Sequence, residues 1–145
     1  MPAEAYLVFS QRPDASVDLA GWDAHARRFF GAVVTASAEG DRLAVTPGEE
    51  VAALRIVKGR PATAADHALA AAAEARMGGG GLGSLAQRCP TVWEVVREAE
   101  PDPAALRVAA LLAAVLLGPI VDPGVPEIFG VKTAREKLER LASSR

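Results

Sequence analysis

The stretch 102-DPAALRVAALLAAVLLGPIV-121 decides the fold of this chain. Asp102 is suited to accept the first free backbone amides as an N-cap, Pro103 suits the first turn, and Gly118-Pro119 ends a helix. The 14 uncharged residues after Arg107 match a core helix, since a bilayer-spanning helix needs about 20 apolar residues. The pattern therefore predicts a buried central helix over 103–118 and no membrane segment.

The first sixty residues have the pattern of a small, mainly antiparallel sheet with one helix. Ala5–Ser10 is a short run of β-formers, and an alternating pattern over Ala32–Thr46 predicts a hairpin that turns at Glu39-Gly40-Asp41. A further strand is expected over Val51–Lys58. Between them, Val17–Phe30 has apolar residues at helical spacing. The apolar face that we expect to pack on the core consists of Leu19, Trp22, Ala26, Phe29 and Phe30.

From residue 61 onward the pattern is helical. Thr63 to Asp66 forms a capping-box sequence at the start of an alanine-rich helix that ends near Met77. We expect further helices over Pro90–Ala99 and Lys132–Ser143, and an irregular loop over Pro119–Pro126. The chain is therefore predicted to be one α+β domain over 1–145, with an α/β part (1–60, order β-α-β-β-β) and a helical C-terminal part (61–145).

Charge and cysteine content exclude several classes of function. The 145 residues hold 16 basic and 18 acidic side chains, a net charge of −2, and the two signs are evenly spread. Nucleic acid is not expected as a partner, because no basic stripe is present. Cys89 is the single cysteine, so an internal disulfide and a multi-cysteine metal site are excluded. The N-terminus does not resemble a signal peptide, and we expect a cytoplasmic protein.

The glycine-rich segment 77-MGGGGLGS-84 is the first candidate site. Backbone amides in such a loop can bind an anion. The segment lacks the Gly-Lys-Ser/Thr ending of a phosphate loop, however, and it follows a helix rather than a strand. We interpret it as a helix connection that is also a candidate partner or ligand contact, with contact residues Gly79, Gly80, Gly81, Gly83 and Ser84.

Few residues are candidates for catalysis. Cys89 lies at the start of an expected helix, where a thiol pKa falls, but it shares an apolar stripe with Trp93, which favours a buried, inert thiol. His25 and His67 lie on different expected helices. No further ligands stand at the spacing that metal sites use. We therefore expect no catalytic residue, no metal site and no cofactor.

Two classes of function fit this pattern. The preferred one is a non-enzymatic protein that binds another protein, as a regulatory, adaptor or immunity-type component. Its contacts would be the glycine-rich segment, the pair Ile128 and Phe129, or the open edge of the hairpin, where two copies could also pair as a homodimer. Ile128 and Phe129 could equally seal one end of the helical layer.

The alternative is a small-molecule or anion-binding protein, or an enzyme. Here the loop Gly78–Gly83 would hold an anionic group, with His67, Arg88 or Cys89 nearby. If these residues line one pocket, the ligand-binding class is favoured. If they are scattered over the structure, the protein-binding class is favoured.

Overall fold

The computed structural model describes residues 5–143. Seven strands form one antiparallel sheet with helices on both faces, which confirms the α+β class and the antiparallel sheet. The elements in chain order are β1 (Tyr6–Ser10), α1 (Leu19–Phe29), β2 (Ala32–Ala36), β3 (Arg42–Pro47), β4 (Arg55–Pro61), α2 (Ala64–Arg76), α3 (Leu82–Gln87), β5 (Thr91–Val95), α4 (Pro103–Leu116), β6 (Ile120–Asp122), β7 (Glu127–Phe129) and α5 (Val131–Ser143).

The strands stand in the order β2-β3-β4-β5-β1-β6-β7, and every neighbouring pair is antiparallel. β1 lies in the interior of the sheet, and all five of its residues are buried. Its side chains alternate between two cores, because successive residues of a strand point to opposite faces. Tyr6 and Val8 face one core, and Leu7 and Phe9 face the other.

The central helix predicted over 103–118 is confirmed as α4. Nine of its residues are buried, so it forms the middle of the first layer, against β1 and β3 and beneath α5. Asp102 caps it through Ala105 N, and Leu117 ends it in the left-handed conformation. α1 packs beside α4 and buries Trp22 against Trp93 of β5, with an edge-to-face ring contact of 5.7 Å.

The second layer consists of α2 and α3. Ala70 and Ala73 of α2 and Ala86 of α3 pack on the opposite sheet face, where small side chains let the helices approach closely. The predicted capping box is present: Thr63 Oγ1 accepts from Asp66 N, and the Asp66 carboxylate accepts from Thr63 N at 2.8 Å.

The helix predicted over Pro90–Ala99 is wrong. Residues 91–95 instead form β5, which pairs with β4 on one side and β1 on the other. The segment Thr-Val-Trp-Glu-Val is rich in β-branched and aromatic residues, and four of its five side chains are buried because both faces of the sheet are covered there. Tertiary pairing therefore decides its conformation.

The irregular loop predicted over Pro119–Pro126 is also wrong in part. The strands β6 and β7 form a hairpin closed by a turn at residues 123–126. The prolines all lie outside the paired residues: Pro119 precedes β6, and Pro123 and Pro126 belong to the turn. The C-terminal part therefore contributes three strands to the sheet and is not wholly helical. The fourth strand is also shifted, to 55–61, and leaves Val51 93% exposed.

Two arginine–aspartate pairs, Arg55–Asp102 and Arg97–Asp122, join segments that are distant in sequence, and a third, Arg60–Asp66, joins the neighbouring elements β4 and α2. The Arg60 hydrogen bonds hold the pKa of Asp66 at about 2. The Arg97 side chain is 3% exposed and lies over the Tyr6 ring at 4.3 Å. Burial raises the pKa of Tyr6 to about 12, against the opposing charge of Arg97. The first and third pairs link β4 to the start of α4 and to α2, and Arg97–Asp122 links the segment after β5 to β6.

Candidate functional site

The glycine-rich loop already holds a carboxylate of the chain itself. Gly78 to Gly81 all have positive φ, from 84° to 126°, and connect α2 to α3. Gly81 N donates to Glu74 Oε1 at 2.6 Å, and a Cβ on the buried Gly83 would meet Glu74 Oε2 at 2.3 Å. Glu74 thus occupies the amide that an anionic ligand would use.

His67 and Cys89 are neighbours, but their arrangement is not catalytic. The His67 ring stacks on Phe9, and its Nε2 lies 3.1 Å from the carbonyl oxygen of Cys89 rather than from the thiol. The Cys89 thiol donates to Leu85 O at 3.4 Å, and burial raises its pKa. A thiolate is therefore disfavoured. Arg88 is exposed beside them.

The glycine loop does not converge on this pair. His67 stands near the start of α2 and Gly78 follows its end, a separation of 11 residues or about 16 Å along a helix. The clefts beside α5 and beside the end of α1 are lined by other residues. Over residues 5–143, no group of three or more His, Cys, Asp or Glu side chains is placed to hold a metal ion. In the same residues, no helix is long and apolar enough to cross a membrane.

Ile128 and Phe129 are each 3% exposed. Ile128 packs in the core under α2, and Phe129 packs in the core under α4. This placement fits the interpretation as a seal and leaves neither side chain available to a partner. The exposed large apolar residue of the same hairpin is Val125, at 45%.

At each edge of the sheet, one backbone amide already donates a hydrogen bond to a side chain of the same chain. At the β2 edge, Asp23 Oδ1 accepts from Val34 N at 2.9 Å. At the β7 edge, Met77 Sδ accepts from Ile128 N at 3.2 Å. An edge whose central amide is already bonded is a poor template for another strand. This arrangement gives no support to a homodimer formed through the hairpin edge.

An exposed aromatic surface lies at the turn from α1 into β2, here named the α1–β2 junction and defined as residues 27–33. Phe29 is 50% exposed, Val33 is 37% exposed and Phe30 is half-buried. The predicted apolar face of α1 is thus wrong in two positions, because only Trp22 and Ala26 are buried while Leu19 and Phe29 face outward.

Aromatic rings and guanidinium groups alternate at the junction. The His25 ring lies 4.6 Å from the Phe29 ring and 6.0 Å from the Phe30 ring. Arg28 lies over Phe29 at 5.2 Å, and Arg135 of α5 lies over Phe30 at 4.8 Å. Arg135 also donates to the carbonyl oxygen of Phe29. The contacts fix both arginines without burying them.

Clefts flank the junction on both sides. A cleft of about 170 Å³ runs between Phe30 and α5, with Leu138 and Pro47 on its apolar walls and Arg107 and Arg135 at its sides. A shallower one lies between Arg27, Val33 and Gly48. Phe30 therefore lines one cleft and Val33 lines the other, so the junction offers two depressions to a partner's side chains.

A third cleft, of about 370 Å³, lies on the other flank of α5. Its polar residues are mostly committed to each other: Asp122 binds Arg97, and Lys137 binds Glu127 at 2.6 Å. It therefore offers a ligand fewer polar groups than its volume suggests.

No protein-family model, no curated protein and no solved structure matches the chain. Any function must therefore be derived from these residues. The alternation of apolar residues did not indicate Phe29 as a surface residue. The local signal was weak: adjacent helical residues point about 100° apart, so Phe29 and Phe30 face different directions, and an arginine pair precedes them.

Proposed function

We propose that this chain is a non-enzymatic protein that binds another protein through the α1–β2 junction, as a regulatory, adaptor or immunity-type component. The observation that carries the proposal is the half-exposed Phe29 ring, held between Arg28 and His25. Aromatic residues and arginine are enriched at the centres of protein interfaces and dominate their binding energy. The proposal includes the cytoplasmic location expected from the sequence.

Two observations weigh against the small-molecule alternative. The amide of Gly81 that would bind an anion is occupied by Glu74, and the Cys89 thiol is buried, which raises its pKa and disfavours a thiolate. The anchoring side chain at the junction, by contrast, points outward. An exposed aromatic with arginines around it gains most from being covered by a macromolecule.

The test is site-specific cross-linking in the native host. A photoreactive phenylalanine analogue replaces Val33, an exposed residue of the junction that also lines the shallow cleft. The cross-linked species are identified by mass spectrometry. Phe29→Ser in this background is expected to abolish the cross-linked partner while the melting temperature stays unchanged, since surface substitutions cost about 0.5 kcal/mol or less.

The matched control is Val125→Ser, because Val125 has nearly the same exposure (45%) but lies in the β6–β7 turn. Capture that survives Phe29→Ser and disappears with Val125→Ser would move the interface to that turn. If no partner is cross-linked and a metabolite raises the melting temperature of the protein, the ligand-binding class is favoured instead.

A further inference from the structure

We infer that the partner presents an acidic segment whose carboxylates bind Arg28 and Arg135, with an apolar side chain in the cleft beside Phe30. This inference rests on the proposed function, since it names the chemistry of the partner at the same surface. Its starting point is that these two arginines are held in place while their charges stay uncompensated.

Several arginines of the chain are committed to carboxylates. Near the junction, Arg27 binds Asp23 at 2.8 Å, and Arg107 lies 3.4 Å from Glu50. Arg28 and Arg135 form no ion pair with any residue between 5 and 143. Both side chains are nevertheless ordered by rings, Arg28 by Phe29 and Arg135 by Phe30.

A guanidinium that lies over a ring still has its N–H groups in its own plane, and Arg135 uses only one of its five on the carbonyl oxygen of Phe29. The N–H edge of a guanidinium matches a carboxylate in a bidentate geometry. Because the rings already restrict the arginine side chains, less conformational entropy is lost when a carboxylate binds. Arg135 bonds to the carbonyl oxygen of Phe29 and Arg28 lies over the ring of the same residue, so a single short segment can reach both guanidiniums.

Acidic side chains around the junction favour a carboxylate pair over a polyphosphate. Asp23, Glu50 and Glu139 all lie at or beside its two clefts. They would repel a continuous run of phosphates such as a nucleic acid strand. They leave room for one or two carboxylates placed directly on the arginines, and the net charge of −2 offers no wider attraction for a polyanion.

The cleft beside Phe30 sets the size of the apolar residue. Its volume is about 170 Å³, and a protein cavity of about 150 Å³ holds a benzene molecule. A leucine or phenylalanine side chain therefore fits between Leu138 and Pro47, next to the Arg135 guanidinium. The inferred motif is an apolar residue with aspartate or glutamate on either side.

The probe is a fluorescein-labelled peptide with the core Ala-Asp-Leu-Asp-Ala, and its comparison is the isosteric Ala-Asn-Leu-Asn-Ala peptide. Fluorescence polarisation at about 50 mM salt, where surface charges are weakly screened, measures binding to the full chain. We expect the acidic peptide to bind at least about tenfold more tightly than its amide analogue, because hydrogen bonds to charged groups are stronger than neutral ones.

Arginine variants test whether the acidic peptide binds to Arg28 and Arg135. Arg28→Gln combined with Arg135→Gln is expected to weaken the acidic peptide about tenfold per arginine. The matched control combines Arg12→Gln with Arg88→Gln, two exposed arginines away from the junction, and should leave binding unchanged. Three results would overturn the inference: no acidic-peptide binding up to about 1 mM, equal binding by the amide peptide, or tighter binding by a labelled DNA strand.

The same double variant in the cross-linking experiment separates this inference from the proposed function. If Phe29→Ser abolishes partner capture and the arginine variant does not, the junction is the interface but the acidic segment is refuted. If Phe29→Ser leaves partner capture intact, the interface at the junction and the acidic segment are both refuted. Loss of capture with both variants, combined with preference for the acidic peptide, supports both.

Discussion

Replacement of Asp102 by alanine is expected to lower the free energy of unfolding by about 4 kcal/mol. The Asp102 side chain is 1% exposed and accepts four hydrogen bonds. Two come from Arg55, at 2.8 and 3.1 Å, and two from the backbone amides of Glu98 and Ala105. One carboxylate thus caps α4 and ties the central helix to β4.

The magnitude has two parts. Loss of an N-cap costs about 1 kcal/mol. Removal of one partner from a buried ion pair costs about 3–5 kcal/mol, because the other charge stays buried. Arg55 is 15% exposed and keeps a second carboxylate, Glu98, at 3.5 Å, so the lower end of that range applies. The sum is a large share of a total stability of about 5–15 kcal/mol.

Two variants separate the parts, each measured by urea unfolding followed by circular dichroism. Asp18→Ala removes a cap alone, since exposed Asp18 accepts from Gly21 N at 3.1 Å on α1, and should cost about 1 kcal/mol. Asp102→Asn keeps a capping oxygen and loses the charge, and should cost about 3 kcal/mol. If Asp102→Ala costs no more than Asp18→Ala, the Arg55 pair adds nothing and the reasoning is refuted.

Three further predictions concern stability. Leu112→Asp should unfold the chain, because Leu112 is fully buried in α4 and an unpaired buried carboxylate costs several kcal/mol; a cooperative melt at the normal temperature would contradict this. Asp66, with a pKa of about 2, should stabilise the fold by about 2 kcal/mol above pH 4 and lose that contribution as the pH falls towards 2. Asp66→Asn should flatten this part of the profile of unfolding free energy against pH. Leu117→Gly should raise the melting temperature by about 3 °C, because Leu117 is 63% exposed with φ of 59° and glycine relieves about 1 kcal/mol of strain there; an unchanged or lower melting temperature would mean that the leucine is not strained.

The parts of the fold that the sequence predicted correctly are those set by local chemistry. Asp102-Pro103 starts α4 and Thr63 with Asp66 starts α2, because a capping oxygen acts on amides two or three residues away. The length of the uncharged run after Arg107 distinguishes a core helix from a membrane span without reference to any other segment.

The parts that failed depend on distant partners. Residues 91–95 have apolar side chains that fit a helical or an extended period, and the neighbours β4 and β1 select the strand. In β6 only Ile120 and Val121 are β-formers, too few to outweigh three nearby prolines. Arg97 and Asp122 are 25 residues apart, so their pairing could not be derived from spacing.

The same limit explains why the candidate site was missed and why it is informative. α1 ends at Phe29, and Gly31, with φ of 60°, lets β2 begin at Ala32 directly beneath the helix end. So tight a reversal leaves residue 29 outside the sheet, with its ring half exposed. Of the large apolar side chains exposed between residues 5 and 143, Phe29 is the aromatic one. This half-exposed ring, in contact with His25 and Arg28, is the observation on which the proposed interface rests.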